Sequence, residues 1–198
     1  MPVRADFAVV LDACVLVEAS VADFYLRLSE EPRLLLPKWT DLIWDEVDRT
    51  CIGKLGWDPD LTKRRRLAAT TNFEEALVTG YEHLTEFCKN DEKDRHVLAA
   101  AIHEKVETIV TMNLKHFQAD ALDPWGIIAV HPDKYLITLF EHDRGIVADK
   151  LHRLAQDRRK SVEEILGRLA WTVPRFSTHV SKELGISVHA ITPSAWKV

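Results

Sequence analysis

Four short apolar runs constrain the fold of this chain more than any other feature of its sequence. They are FAVVLD at 7–12, LLLP at 34–37, TIVT at 108–111 and GIIAVH at 126–131. Three of them are rich in β-branched residues, and each gives way to proline, an acid or other polar residues. Such runs are typical of strands that are buried on both faces of a parallel sheet. We therefore predict four parallel strands within the first 131 residues.

Helical spacing of apolar residues fills the segments between these strands. It is present at 21–31, 39–50, 58–73 and 91–103, where Asp91 is placed to cap the last helix. Alternating strands and helices predict an α/β fold with a central parallel sheet and helices on both faces. In sheets of this kind, ligands bind beyond the carboxyl ends of the strands.

The strand signals cease at about residue 135, and only helical patterns follow. Ser161 and Glu164 have the spacing of a capping box, and Pro174 is expected to break the chain before a last helix at 178–184. We predict a domain at 1–135 and a helical C-terminal extension at 136–198. The pattern leaves open whether this extension covers an apolar face, extends a dimer contact or replaces a partner.

Composition limits the possible classes of protein. No run approaches the roughly 18 apolar residues of a membrane-spanning helix, and no secretory leader is evident at the N-terminus. The three cysteines form no CxxC pair, which indicates reduced thiols rather than a disulfide framework or a zinc site. We therefore expect a soluble, cytoplasmic protein. The net charge of -5 is uneven: lysine and arginine number 16 against 24 acids up to residue 135, and 10 against 7 beyond it.

Two acids lie on helical faces that should otherwise be buried. Asp94 precedes Val97 and Leu98 by three and four residues, so it shares their apolar stripe. Glu46 follows Leu42 by four residues and Ile43 by three. Asp12, the third acid of interest, closes the first strand at the end where α/β sheets place their sites.

Three carboxylates from separate elements can thus converge on one pocket. Taken singly, Asp12 also fits a helix N-cap, Asp94 the start of a helix and Glu46 a lysine partner. Together they would raise each other's pKa unless cations neutralise them. Lysine and arginine side chains can do this, and so can a hard divalent cation such as Mg²⁺ or Mn²⁺, which takes oxygen ligands.

The ordered set VVLDACVL, an acid in the helix after LLLP, DRHVLAAAI, and TMNLKHF with GIIAVHPDKYL resembles the PIN domain. Within that family it is most similar to the VapC-like ribonuclease toxins of bacterial type II toxin–antitoxin systems. The resemblance covers about residues 6–135. It implies a three-layer α/β/α fold and a Mg²⁺- or Mn²⁺-dependent endoribonuclease that hydrolyses RNA phosphodiester bonds.

The resemblance also implies roles for individual residues. Asp12, Glu46 and Asp94 match the metal-binding acids of the family, and the fourth catalytic position falls at Asn113. Many PIN domains have an aspartate there, so this chain lacks one charge and the occupancy of a second metal is in doubt. Thr111 is expected to be a hydrogen-bonding neighbour of the site.

Several nearby residues have weaker assignments. Asp91 is an auxiliary acid or, more simply, a helix cap. His96 and His116 lie near the site in sequence, and a solvated or capping histidine is the commoner outcome for each, with a direct catalytic role as the alternative. RNA has to be held by cations around an acidic pocket, and the candidates are the KRRR cluster at 63–66, Lys38 and Lys115. A charge run on a helix is more often an ordinary solvated face.

The family further implies partners. These are an RNA substrate, a cognate antitoxin on an apolar strip of the helices near 20–57, and a second copy in a homodimer. Two alternatives remain open. One is a PIN nuclease of housekeeping RNA processing without an antitoxin. The other is a degenerate, non-catalytic module that binds RNA or protein, an interpretation that only Asn113 favours.

Overall fold

A parallel sheet of four short strands occupies the region of the four apolar runs, in a computed structural model that describes residues 7–186. Its strands are β1 (Ala8–Leu11), β2 (Leu36–Lys38), β3 (Thr108–Val110) and β4 (Ile128–Val130). All neighbours pair in parallel, in the order β2-β1-β3-β4. The ends of both predicted domains, 1–6 and 187–198, lie outside the described residues.

The two central strands are the most deeply buried. Val10 pairs with Ile109 and Leu11 with Val110, and these four side chains are inaccessible to solvent. Because both faces of β1 and β3 are covered, apolar residues are required at every position, which explains the continuous runs in the sequence. At the edge, β4 leaves Ile128 exposed.

Helices connect and flank these strands. Short 3₁₀ turns lie between them at Glu74–Ala76, Glu82–Phe87, Glu92–Asp94, Leu114–His116 and Asp123–Trp125. The α-helices are α1 (Ala13–Val17), α2 (Ala19–Leu28), α3 (Asp41–Gly53), α4 (Pro59–Asn72), α5 (Arg95–Glu104), α6 (Ala119–Leu122), α7 (Pro132–His142), α8 (Arg144–Arg158), α9 (Val162–Leu169) and α10 (Pro174–Glu183). The predicted α/β class with a central parallel sheet is confirmed, and the arrangement is consistent with a PIN-like three-layer fold.

The chain divides into two compact units. Of the described residues, the sheet unit contains 7–17 and Leu35–His131, and the helical unit contains Glu18–Leu34 and 132–186. Helix α2 therefore packs with the C-terminal helices, although it comes early in the chain. The proposed domain boundary at residue 135 stays a prediction.

The helical unit has its own aromatic core. The rings of Phe24 and Phe176 lie 5.6 Å apart, and those of Tyr25 and Tyr135 stack at 6.4 Å. Tyr25 also donates a hydrogen bond from its hydroxyl to the Pro132 carbonyl at 3.0 Å. This packing gives α2 the apolar contacts that hold it among α7 to α10.

Two helix starts in this unit bear on the sequence analysis. The capping box is confirmed: Ser161 Oγ accepts from the Glu164 amide at 3.2 Å, and the Glu164 carboxylate accepts from the Ser161 amide at 2.8 Å. The predicted last helix is present as α10, but it begins at Pro174 itself, four residues before the predicted start at residue 178. Proline is well suited to the first turn, where its missing N–H has no helical partner.

None of the helices between residues 7 and 186 combines the length and the apolar character that crossing a bilayer requires.

Candidate active site

The site lies at the carboxyl ends of β1 and β3, where the strand order switches from one side of β1 to the other. From β1 the chain continues to β2 on one side, whereas β3 pairs on the other side of β1. Asp12 directly follows β1 and Thr111 directly follows β3, so the register brings them together. The Asp12 amide donates to the Val110 carbonyl at 3.1 Å. This is the position at which open α/β sheets bind ligands.

Asp12 is held by side chains through one of its two carboxylate oxygens. Its Oδ2 accepts from the Thr111 hydroxyl at 2.6 Å and from the Cys14 thiol at 3.1 Å. Asp12 is 2% exposed and Thr111 is fully buried. The expectation that Thr111 would be a hydrogen-bonding neighbour is confirmed. Since both donors contact Oδ2, the other oxygen, Oδ1, is left for a further ligand.

Cys14 is a member of the site that sequence reasoning missed. Burial, reinforced by the charge of Asp12, raises the pKa of its thiol to about 12, so the thiol remains protonated and can donate. The Met112 amide donates to Cys14 Sγ at 3.2 Å, which fixes the sulfur in the turn after β3. The available signal was its position, three residues beyond the end of β1 and two residues beyond Asp12.

Glu46 faces this cluster from α3. The helix starts at Thr40, whose hydroxyl accepts from the Ile43 amide at 3.1 Å. Burial raises the pKa of Glu46, and the charges of Asp12 and Asp94 raise it further. The side chain is half-buried, and Leu42, expected on the same inward face, is exposed. Glu46 therefore lies at the mouth of the site rather than in its interior.

Asp94 reaches the cluster from the turn that precedes α5. It ends a 3₁₀ turn immediately before α5, is 6% exposed, and precedes the fully buried Val97 and Leu98. Burial raises its pKa, and the charges of Asp12 and Asp91 add to this effect. A hydrogen bond from His116 opposes the shift without cancelling it. Asp12, Glu46 and Asp94 thus lie close enough to repel one another.

His116, expected from the sequence to be a solvated or capping histidine, instead brings a nitrogen atom to the site. Its Nδ1 lies 2.6 Å from Asp94 Oδ2, and one ligand atom from each of Asp91, Asp94 and His116 falls within 4.8 Å of the others. Asp91 also caps its turn, as expected, by accepting from the Lys93 amide at 3.2 Å. The Asp91 amide in turn donates to the His116 carbonyl at 3.2 Å.

Asn113 and His96 take less direct positions. The Asn113 amide donates to Thr111 Oγ1 at 3.0 Å, which ties the turn after β3 to the residue that holds Asp12. No side-chain hydrogen bond of Asn113 is formed within residues 7–186. Burial lowers the pKa of His96, whose Nδ1 has no hydrogen-bond partner in the same part of the chain.

Within residues 7–186, the ligand atoms of Asp91, Asp94 and His116 form the one group compact enough to surround an ion, and Asp12 and Glu46 are not part of that group. Asp12 and Glu46 add carboxylates of the type that a divalent cation takes. Across the described residues, no lysine or arginine forms an ion pair with Asp12, Glu46 or Asp94. Buried acids without such partners are costly, and a bound cation would offset their repulsion. Carboxylate oxygens suit Mg²⁺ or Mn²⁺, and the imidazole of His116 extends the set toward Mn²⁺ and other transition metals.

Comparison with known proteins places the chain in a family. Over 113 residues it is 50% identical to a protein of Mycobacterium tuberculosis (strain H37Rv) named "Putative ribonuclease VapC50". The match covers 56% of this chain and 67% of that relative. The chain belongs to the VapC family. The resemblance indicated by the motifs is thereby confirmed. No family model matches the chain, and no solved structure matches it.

The basic cluster of this VapC-family chain is partly engaged within the protein. Arg66 forms ion pairs with Asp41, Asp45 and Asp48 at 2.7 to 2.9 Å. Arg65 donates to a backbone carbonyl of α1 and lies 5.5 Å from the centre of the Trp57 ring. These two arginines join α4 to its neighbours.

The other predicted cations differ in their availability. Lys63 and Arg64, the first half of the cluster, are exposed, and so is Lys115. Lys38 pairs with Glu104 at 2.7 Å. Of the cations that we predicted to contact RNA, three are exposed and form no ion pair within residues 7–186: Lys63, Arg64 and Lys115.

Proposed function

We propose that this protein is a divalent-metal-dependent endoribonuclease and the toxin component of a toxin–antitoxin pair. The observation that carries the proposal is the cluster of Asp12, Glu46 and Asp94 at the carboxyl ends of β1 and β3, without a lysine or arginine ion pair in the described chain. The VapC-family relative, itself named as a ribonuclease, supports the reaction class.

The metal would be held by Asp12, Glu46 and Asp94. When bound, Mg²⁺ or Mn²⁺ supplies a Lewis acid for the phosphodiester and lowers the pKa of water. The chain's own residues prepare this centre: Thr111 and Cys14 donate to Oδ2 of Asp12, so its Oδ1 would be the oxygen that serves the metal. Glu46, half-buried at the mouth of the site, would complete the ligand set from α3.

His116 orients Asp94 in this proposal. Its Nδ1 contact at 2.6 Å fixes one carboxylate oxygen of Asp94, as outer residues commonly do for metal ligands. If the ion instead lies among Asp91, Asp94 and His116, the nitrogen ligand favours Mn²⁺ over Mg²⁺. Asn113 supplies an amide in place of the family's fourth acid and brings no charge.

The partners follow from the same assignment. RNA would lie on the exposed Lys63, Arg64 and Lys115, and its binding would weaken with salt. A cognate antitoxin would cover the exposed apolar side chains near 20–57, which include Leu42 and Ile52 of α3 and Leu55 just after this helix. We propose a cytoplasmic protein and a homodimer, as in other members of the family.

The test is cleavage of total cellular RNA by the purified full chain, with Mg²⁺, with Mn²⁺ and with EDTA, beside the variant Asp94→Asn. We expect metal-dependent cutting that the variant lacks. Equal cutting by Asp94→Asn would contradict the assignment of this ligand. No cutting by folded protein under any condition would favour the non-catalytic binding module that Asn113 suggests.

A further inference from the structure

The helical unit contains a pocket that the proposed nuclease does not use. It has a volume of about 350 Å³ and is formed by the start of α2, the end of α8 and the length of α9. This volume is at the lower end of the range for small-molecule sites, roughly 300 to 1,000 Å³. All of its lining residues belong to the helical unit.

The floor of the pocket is apolar. Leu154, Ile165 and Leu169 are buried in the unit and also line the pocket. Aliphatic side chains of this kind favour a ligand with an apolar or planar body, since contact with them removes apolar surface from water.

The rim is cationic. Arg158, Lys160 and Arg168 line it, against a single acid, Asp23. Arg158 pairs with Asp23 at 2.7 Å and Lys160 with Glu164 at 2.9 Å. Arg168 forms no ion pair within residues 7–186, so its guanidinium is available to an anion.

The start of α2 adds backbone N–H donors to the pocket, which also favour an anion. The side chain of Glu18, which precedes the helix, does not cap it, and its carboxylate instead accepts from the Thr172 hydroxyl at 3.3 Å. The first helical bond runs from the Ala22 amide to the Glu18 carbonyl at 2.8 Å, which leaves the amides of Ala19 and Ser20 without helical acceptors. Both residues line the pocket, where the positive end of the helix also favours an anion.

We propose that this pocket binds a phosphate monoester carried on an apolar body, a ligand of mononucleotide size. The phosphate accepts from Arg168 and from the first turn of α2, and the body lies on the leucine and isoleucine floor. Arg168 supplies the bidentate donor geometry that a phosphate prefers. The site does not depend on the nuclease, and it gives the helical extension a function of its own.

The test is calorimetric titration of the full chain in EDTA, so that the acidic centre cannot hold an anion through a metal. The probes are adenosine 5′-monophosphate, adenosine and inorganic phosphate. We expect the monophosphate to bind at least about tenfold more tightly than either fragment. Equal binding of adenosine would overturn the phosphate contact, and equal binding of inorganic phosphate would overturn the role of the floor.

Arg168→Gln should weaken binding of the monophosphate about tenfold, the loss expected for one charge-assisted hydrogen bond. The matched control is Arg153→Gln, because Arg153 is a cation of α8 that pairs with Asp149 and does not line the pocket. An equal loss in Arg153→Gln would mean that only the general positive charge matters, which would overturn the site. Failure of the wild type to bind the monophosphate at millimolar concentration would overturn it as well.

Ser20→Asp provides a variant that should keep the fold. A carboxylate in the first turn suits the helix dipole, so the melting temperature should be unchanged or higher, whereas binding of the monophosphate should fall at least about tenfold. Unchanged binding would contradict the proposed contact with α2. A 5′-phosphorylated trinucleotide then separates the sources: binding as tight as the monophosphate assigns an RNA end, and no binding assigns a free nucleotide.

Discussion

Buried charges are treated differently in the sheet unit and in the helical unit. In the helical unit, Asp133 is 5% exposed and accepts from the Arg175 and Phe176 amides at 3.1 and 2.7 Å. Lys150 is 2% exposed and donates to the Glu30 and Glu31 carbonyls at 2.9 and 3.2 Å. Each charge is satisfied by backbone groups of opposite polarity, as buried charges in stable structures are.

In the sheet unit, Asp12 and Asp94 are equally buried but face each other and Glu46. Side chains donate to one oxygen of Asp12 and one of Asp94, and the carboxylates raise the pKa values of Glu46 and Asp94. The difference distinguishes a charge that stabilises its own unit from one that is kept for a ligand. Five predictions test and extend this distinction.

The largest expected effects come from the same isosteric change in each unit. Asp12→Asn can keep its carbonyl oxygen toward Thr111 and Cys14 and place its NH₂ at the Oδ1 position, so the fold should persist while RNA cleavage falls by about 10³-fold or more. The melting temperature should not fall, because a repelling charge is removed. Cleavage assays and thermal unfolding of the full chain check both outcomes, and near-normal cleavage would exclude Asp12 as a ligand.

Asp133→Asn should do the opposite. Both oxygens of Asp133 accept from backbone amides, so the new NH₂ group must face an N–H donor at the start of α10. We expect about 2 kcal/mol lower free energy of unfolding in denaturant. A variant as stable as the wild type would show that this buried charge is not structural and would remove the contrast between the units.

Cys14 tests how far the orientation of Asp12 matters. Cys14→Ala removes the donor to Oδ2 and should lower cleavage about tenfold, whereas Cys14→Ser restores a donor and should remain within about threefold of wild type. Cys88→Ala is the matched control, since this buried thiol donates to the Leu84 carbonyl in the same unit. Equal activity of the alanine and serine variants would make Cys14 a packing residue.

These residues also show which parts of the structure the sequence can predict. The strands could be predicted because burial on both faces requires uninterrupted apolar residues, and Asp94 could be found because an acid interrupts an apolar helical stripe. The contacts of Cys14 with Thr111 and of His116 with Asp94 could not be predicted, because these partners are distant in the chain. They form only once β1 and β3 pair and the turn after β3 reaches the start of α5.

Long-range packing limited the prediction in two further places. The five-residue helix α1 is too short to give a periodic signal. The grouping of α2 with the C-terminal helices depends on aromatic contacts such as Phe24 with Phe176, which no local pattern reveals. The same holds for Arg66, which reads as part of a solvated basic run but pairs with three acids of α3.

A smaller effect is expected from pH. The raised pKa values of Glu46 and Asp94 mean that the native state binds protons more tightly than the unfolded chain, so in EDTA their burial and their mutual repulsion lower stability at neutral pH. As pH falls through these raised values toward the ordinary ones, 4.5 and 3.8, both groups become protonated and the penalty disappears. The gain in melting temperature of Asp94→Asn over wild type should therefore be largest near neutral pH and shrink in acid. A gain that is constant with pH would have another cause.

The smallest effect separates a cation that joins two helices from cations that are available to RNA. Arg66→Gln removes ion pairs with Asp41 and Asp45, which are exposed, and with Asp48, so we expect a loss of about 1 kcal/mol or less that diminishes at high salt. Its effect on RNA binding should be slight, because its guanidinium is already engaged. Lys63→Gln with Arg64→Gln should leave the melting temperature unchanged, yet weaken RNA binding and reduce its dependence on salt. If Arg66→Gln weakens RNA binding as much as this pair, the arginine leaves its acids for the substrate, and the surface of α4 binds RNA as a whole.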